Sequence, residues 1–285
     1  IATNNAQIGI IKDDMPEVPD KQFIIEPAKR DTAAAIGLAD TYLHKQNKKE
    51  IMMNINSDHY IQNEKEYLRT IKLAGEVVSK KPKCGVLMGI RPSFPDTGMG
   101  YIKMGEKAMD LKRTKIFEVD RFEEKPDLKT AMKYVEAWEY LWNSGCFVWR
   151  VDTLLGLYKR FLPKTYKHLM KIREVIGTKD EEKVLKREFK RIEAISIDYG
   201  VIEKAPELCV IPSDFGWADV GNWGTVKDVL SKRPKSSVKK GKILAVDCSD
   251  NLVYNYSGKL LTLLGVKGMV VIETEDTLLV CPKDK

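Results

Sequence analysis

Ile51-Met52-Met53-Asn54-Ile55-Asn56 runs straight into Ser57-Asp58-His59, and this stretch decides the fold class. A short, largely apolar run of this kind reads as a strand buried on both faces. Downstream, Glu64–Ser79 carries helical spacing and Gly85–Ile90 is a second short apolar run. Upstream, Phe23–Glu26 is short and apolar, Thr32–Lys45 has helical spacing ending near Asn47, and Asn5–Ile11 reads as following a strand. The β-α-β-α rhythm predicts an α/β fold with a largely parallel sheet, in which ligands bind beyond the carboxyl ends of strands. Asp58 falls at such an end.

Bulk properties narrow the class. The chain has 285 residues, 43% hydrophobic and 31% charged, the balance of an ordinary globular protein large enough for one sizeable domain and a smaller one. No apolar run is long enough to span a bilayer, and no signal-peptide pattern opens the chain. Cys84, Cys146, Cys209, Cys248 and Cys281 are scattered without paired metal-ligand spacing, which predicts reduced thiols in the cytoplasm. The net charge of +7 comes from lysines spread along the chain. No aromatic-interleaved basic stripe accompanies it, so neither nucleic acid nor membrane is the expected partner, and a modest positive field suits anionic phosphate substrates.

Further along, Asp127–Glu139 reads as a helix, Cys146–Arg150 as an alternating strand, and a helical region runs from Asp152 toward Phe189. A helix from Trp223 to about Ser231 gives way to the polar linker Lys232–Lys242. Short β segments follow at Ile243–Asp247, Leu252–Tyr256, Leu260–Val266, Met269–Glu273 and Thr277–Cys281. This change of texture places one domain over 1–231 and a small all-β module over 243–285.

Five segments carry candidate chemistry. Gly216-Trp217-Ala218-Asp219-Val220-Gly221-Asn222-Trp223 puts a carboxylate between glycines and indoles just after the β-like Leu208–Pro212. An acid on such a loop can hold a metal or a hydroxyl; equally, it can be a turn residue beside core tryptophans. Asp58 pairs with it in the metal reading, because two carboxylates plus substrate phosphates hold Mg²⁺ without a full protein cage. Otherwise Asp58 caps the next turn, and His59 is structural in either case. Glu26-Pro27-Ala28-Lys29-Arg30-Asp31-Thr32-Ala33 leads into a helix that Thr32 can cap, with N–H groups open to anions or base edges. A carboxylate such as Glu26 can accept from the adjacent N1–H and amino group of guanine. Phe122-Glu123-Glu124-Lys125-Pro126-Asp127 offers an acceptor and a cation, or a surface ion pair at a helix start for which Asp127 is the cap. Trp142-Asn143-Ser144-Gly145 and Ser196-Ile197-Asp198-Tyr199 supply amide, carboxylate and phenol groups that can read hydroxyls.

Taken in order, these segments resemble the mannose-1-phosphate guanylyltransferases, from about Ile1 to Lys285. The resemblance implies a Rossmann-like nucleotide-diphospho-sugar transferase fold, with the C-terminal β module as the start of a left-handed β-helix. It implies transfer of GMP from GTP to mannose 1-phosphate, giving GDP-mannose and pyrophosphate, in a cytoplasmic homodimer using Mg²⁺. Asp58 and Asp219 would be the metal ligands, with Lys125 completing the catalytic set. Glu26, Pro27, Asp31, Thr32 and Ala33 would face the nucleotide. Gly100, Glu124, Lys125, Asn143, Gly145, Asp198 and Tyr199 would face the sugar phosphate, with Gly100 letting the ring come close. Uridylyl or thymidylyl specificity, or a regulatory homologue that binds GDP-mannose without catalysis, are the alternatives. The family's opening Gly-rich loop is not among these residues, so residues 1–285 alone are expected to be poorly soluble and inactive.

Overall fold

The computed structural model describes residues 1–231 and 233–285; Lys232, in the linker, lies outside the described residues. The chain divides into two compact units, one of Ile1–Asn56 with Lys65–Asp214, the other of Ser57–Glu64 with Phe215–Lys285. In chain order the strands begin β1 (Ala2–Asn4), β2 (Ile24–Glu26), β3 (Ile51–Asn54) and β4 (His59–Ile61), of which β4 belongs to the second unit. They continue with β5 (Gly85–Ile90), β6 (Gly100–Leu111), β7 (Thr114–Glu124), β8 (Tyr140–Arg150) and β9 (Leu208–Ser213). Between them lie α1 (Ile8–Asp14), α2 (Asp31–Gln46), α3 (Glu64–Lys80), α4 (Leu128–Glu136), α5 (Val151–Phe161), α6 (Pro163–Val175), α7 (Glu181–Phe189) and α8 (Ile197–Gly200).

The first unit is organised on a six-stranded sheet in the order β3-β8-β5-β9-β7-β6. The α/β class stands, but strand direction departs from the expected largely parallel sheet. Within this sheet β5–β9 is parallel while β3–β8, β5–β8, β7–β9 and β6–β7 are antiparallel. The cause is local. Lys112 and Arg113 both take positive φ, 50° and 65°, between β6 and β7. That is the two-residue hairpin geometry, and strands so joined must be antiparallel. A β-α-β rhythm cannot reveal such a hairpin inserted into the sheet.

Trp149 and Leu87 from the sheet pack with Leu38, Leu154, Tyr158, Leu169 and Phe189 in one buried cluster. Each such side chain contributes about 1.5–3 kcal/mol by leaving water. Tyr158 seals the junction of α2 and α5 by donating its hydroxyl to the Ala33 carbonyl at 2.6 Å. Asp127 does cap α4, accepting from the Thr130 N–H at 2.8 Å.

The second unit adds β10 (Trp217–Asp219), α9 (Trp223–Leu230), β11 (Val238–Lys240), β12 (Ile243–Val246), β13 (Leu252–Asn255), β14 (Leu261–Leu264), β15 (Met269–Glu273) and β16 (Leu278–Pro282). Here β11-β13-β15 form one parallel ladder and β12-β14 another. Parallel strands with such short connections fit a chain that coils rather than folds back. Two buried asparagines hold the turns. Asn251 donates to the Val266 carbonyl at 2.7 Å and accepts from the Met269 N–H at 2.9 Å. Asn255 donates to the Lys242 and Lys259 carbonyls at 2.9 and 2.7 Å. Unpaired backbone carbonyls there would cost about 1–3 kcal/mol each.

Candidate active site

Asn143 owes its position to a bulge in β8. The C-terminal half of β8 pairs with β3 and β5, while its N-terminal half pairs with β5 and β6. Its register against β5 slips between Leu87↔Phe147 and Gly89↔Asn143. Ser144 fills the gap by donating its hydroxyl to the Met88 carbonyl at 2.7 Å, and Gly145 turns through φ 69°. Bulges of this kind re-aim side chains and recur beside active sites. The strand therefore begins at Tyr140, not Cys146, and the Trp142–Gly145 segment lies inside it rather than before it. Trp142 is buried against Phe94, their ring centroids 5.0 Å apart.

The bulge brings Asn143 to Asp198, donating from Nδ2 to Oδ1 at 3.0 Å. Asp198 sits in α8, a single turn whose Ser196 hydroxyl accepts from the Tyr199 N–H at 3.3 Å. Burial raises the Asp198 carboxyl above its ordinary range, against the opposing pull of Asn143 and Lys125. Glu124, at the end of β7, is pushed up to about 7, first by burial and then by the neighbouring Asp198 charge. Lys125 opposes that shift, its Nζ 3.8 Å from Glu124 Oε1. Glu124, Lys125, Asn143 and Asp198 thus form one cluster. Tyr199 stands beside it, 42% exposed.

Two features show that this cluster is built at a cost. Lys125 holds φ 50°, a left-handed conformation that costs a non-glycine residue about 1–2 kcal/mol. Its N–H is fixed by the Met99 carbonyl at 3.2 Å. A Cβ on Gly100 would stand 2.3 Å from Glu124 Oε2, so glycine there makes room for the carboxylate. Sequence reasoning gave Gly100 to the approach of a sugar; its first effect is to seat Glu124. Glu203 was missed as a member of the cluster. Its Oε1 accepts from the Glu124 N–H at 3.2 Å, and its charge raises both Glu124 and Asp198. Its place five residues after Asp198 was the available signal.

The helix start near Glu26 differs from expectation. Thr32 does not cap α2: the N-cap position is Arg30, with no side-chain cap. The Thr32 hydroxyl instead accepts from the Ile197 N–H at 2.9 Å, tying α2 to the α8 turn. Asp31, at φ 64°, takes the Thr32 N–H at 2.7 Å, and the Ala33 N–H goes to the Ile195 carbonyl at 3.2 Å. Those two N–H groups are therefore engaged and not open to an anion. Glu26 ends β2, half-buried beside Pro27, and burial raises its carboxyl.

In the second unit, β4 and β10 form an antiparallel ladder that sets Asp219 opposite His59. The Val220 N–H donates to the Asp58 carbonyl at 3.2 Å, closing the ladder beyond that pair. Burial lowers the His59 imidazole, and the charges of Asp219 and Asp58 both oppose the shift. Trp217 meets the same imidazole edge-on at 5.3 Å. Asp58, in the turn before β4, and Asp219, in β10, thus both act on the His59 imidazole. An all-oxygen donor set of two carboxylates suits a hard divalent cation that keeps waters or takes phosphate oxygens as its other ligands. Among the described residues no group of three His, Cys, Asp or Glu side chains is placed to hold a metal.

A nest of half-buried carboxylates with a strained lysine beside a bulged strand, on an α/β unit followed by a coiling β module, defines a class, and the comparisons agree with it. Residues 3–235 match the family described as Nucleotidyl transferase, and the chain belongs to it. Residues 241–285 match the MannoseP isomerase/GMP-like beta-helix domain. Among curated relatives, the mannose-1-phosphate guanylyltransferase RfbM of Salmonella typhimurium is 35% identical over 92% of this chain and 54% of its own length. The mannose-1-phosphate guanylyltransferase of Salmonella muenchen is 36% identical over 92% of this chain and 54% of its own. This chain therefore spans about half the length of the curated relatives it matches. A solved Thermus thermophilus protein, described as a mannose-1-phosphate geranyltransferase, superposes with TM-score 0.85 at 30% identity. That match covers 99% of this chain and 79% of the other.

Proposed function

We propose that the protein carrying this chain is a mannose-1-phosphate guanylyltransferase. It transfers GMP from GTP to mannose 1-phosphate and releases pyrophosphate. The observation that carries the reading is the convergence of Glu124, Lys125, Asn143 and Asp198 beside the bulge in β8. Two half-buried carboxylates and an amide are a hydroxyl-reading set, and the strained Lys125 supplies a cation for a phosphate. The relatives named above support the same substrates.

A phosphate oxygen of mannose 1-phosphate attacks the α-phosphorus of GTP as the bond to the β-phosphate oxygen breaks. The electron pair leaves with pyrophosphate. Asn143 and Asp198 orient the sugar and Glu124 accepts from a hydroxyl, so binding converts to positioning. Lys125 neutralises phosphate charge. Glu26 accepts from guanine N1–H and the 2-amino group, and that contact restores the solvation its carboxyl lost on burial. Asp58 and Asp219 would hold a Mg²⁺, which supplies charge neutralisation on the phosphates. We place the enzyme in the cytosol, on the five free cysteines. The homodimer implied by the resemblance is checked by light scattering.

The test is pyrophosphate release with mannose 1-phosphate and GTP, UTP or dTTP in the presence of Mg²⁺. Faster turnover with GTP is expected. A preference for UTP or dTTP would move the assignment to another nucleotidyltransferase, and binding of GDP-mannose without turnover would make the protein regulatory.

A further inference from the structure

A cavity of about 430 Å³ opens among the helices of the first unit, lined by Lys164, Lys167, His168, Lys171, Arg191 and Glu193. Nothing in the transfer reaction uses these residues. Lys164, Lys167, His168 and Lys171 recur at the i, i+3, i+4, i+7 spacing that puts side chains on one helix face. Like charges at these separations repel, by about 0.2–0.5 kcal/mol per pair on an isolated helix.

The lining is held in place from beneath. Glu188 has 1% of its side chain exposed, yet it stays ionised, held down to about 2 first by its bond to His168. His168 Nδ1 lies 2.9 Å and Lys171 Nζ 3.2 Å from Oε2, while Arg187 Nε reaches Oε1 at 2.7 Å. A buried carboxylate so surrounded fixes the lining groups before any ligand arrives. It does not neutralise them all. Arg191 lies 3.7 Å from the same carboxylate, and Lys164 and Lys167 form no ion pair among the described residues. Cations therefore outnumber the carboxylates.

We propose that this cavity binds a small ligand carrying two or more phosphoryl groups in a row, at a site separate from the Glu124 cluster. Lys164 and Lys171 are separated by about 10 Å of helix rise, a spread that suits a phosphate chain better than one orthophosphate. A cavity of this size admits such a chain with or without its nucleoside. The proposal does not rest on the guanylyl assignment.

The test follows the imidazole resonances of the three histidines during titration with inorganic pyrophosphate. His168 shifts saturably. Lys167→Glu with Arg191→Glu weakens that response by about tenfold or more, the equivalent of about 1.4 kcal/mol. Lys80→Glu, a charge reversal elsewhere on the surface, leaves it within about twofold, the scale of screened long-range attraction. Lys164→Ala is the milder variant should the double reversal fail to fold. A nucleoside diphosphate saturating at lower concentration than pyrophosphate assigns the site to nucleotides, and the reverse assigns it to inorganic pyrophosphate. An unresponsive His168, equal weakening by Lys80→Glu, or orthophosphate saturating as readily as pyrophosphate overturns the proposal.

Discussion

Glu124 and Asp198 lie against the bulged end of a sheet, with 11% of the Glu124 side chain exposed and its carboxyl pushed up to about 7. Asp219 lies on a ladder of two three-residue strands and Asp58 in the turn just before it, Asp58 exposed to solvent and Asp219 half-buried. Each pair brings together carboxylates from separate segments of the chain, and their surroundings differ. Buried carboxylates lose hydration and favour donors that replace it, such as Asn143 or a sugar hydroxyl. A carboxylate open to water, such as Asp58, suits a cation that brings its own water. In the proposed reading, the shielding of the Glu124 side chain and the exposure of Asp58, more than residue type, set the two pairs apart.

The largest effect tests the exposed pair. Asp219→Asn and Asp58→Asn should each lower turnover by about 10²–10³-fold, the scale of losing one preorganised charge interaction. The melting temperature should stay close to wild type, since neither side chain is buried. Turnover that stays near normal across a Mg²⁺ titration would remove that residue from the metal site.

Asn143→Ala attacks the buried set. It deletes the donor to Asp198 and leaves that carboxylate one hydrogen bond short, a penalty of about 1–3 kcal/mol. The Michaelis constant for mannose 1-phosphate should rise about tenfold, with that for GTP little changed. Equal rises for both substrates would mean that the bulge positions the whole sheet edge rather than the sugar.

Glu124→Gln sharpens the contrast through pH. The Glu124 pKa is raised on folding, from 4.5 to about 7. Its contribution to stability is therefore fully present below pH 4.5 and is lost as pH rises through about 7. Glutamine removes this loss, so the variant should gain on wild type from pH 5 to pH 8 in thermal melts while sugar binding weakens. A pH-independent difference would show that Glu124 is not desolvated.

How much of this could be read in the sequence depends on whether the signal was local. Periodicity recovers β5 at its full bounds and α3 to within one residue, and the carboxylates of the FEEKPD and SIDYG motifs do meet. The β6–β7 hairpin was hidden because Lys112-Arg113 lacks the glycine or asparagine that usually marks such a turn. The Thr32 cap was misread for a related reason. A threonine at a helix start looks the same whether its hydroxyl faces its own backbone or that of Ile197, far along the chain. Glu203 stood in the open but gained meaning only once β7 ended beside it.

Asp40 gives the smallest effect and the strictest control on the comparison. It is fully buried in α2, neither oxygen has a hydrogen-bond partner, and its carboxyl is raised to about 9, by burial first and by the Asp152 charge second. By burial alone it resembles Glu124, but no sugar-reading group stands beside it. If burial defines a binding carboxylate, Asp40→Asn should impair activity. If burial must be joined to the Asn143–Lys125 constellation, the variant should keep full activity and change stability alone. The second outcome is expected. The stability contribution of Asp40 is complete below pH 3.8 and is lost as pH rises through about 9. Asparagine should therefore raise the melting temperature by about 2–4 °C at pH 8, corresponding to about 1 kcal/mol in a domain of this size. At pH 5 the gain should be smaller. A loss of sugar affinity in Asp40→Asn would break the distinction between the two kinds of buried carboxylate.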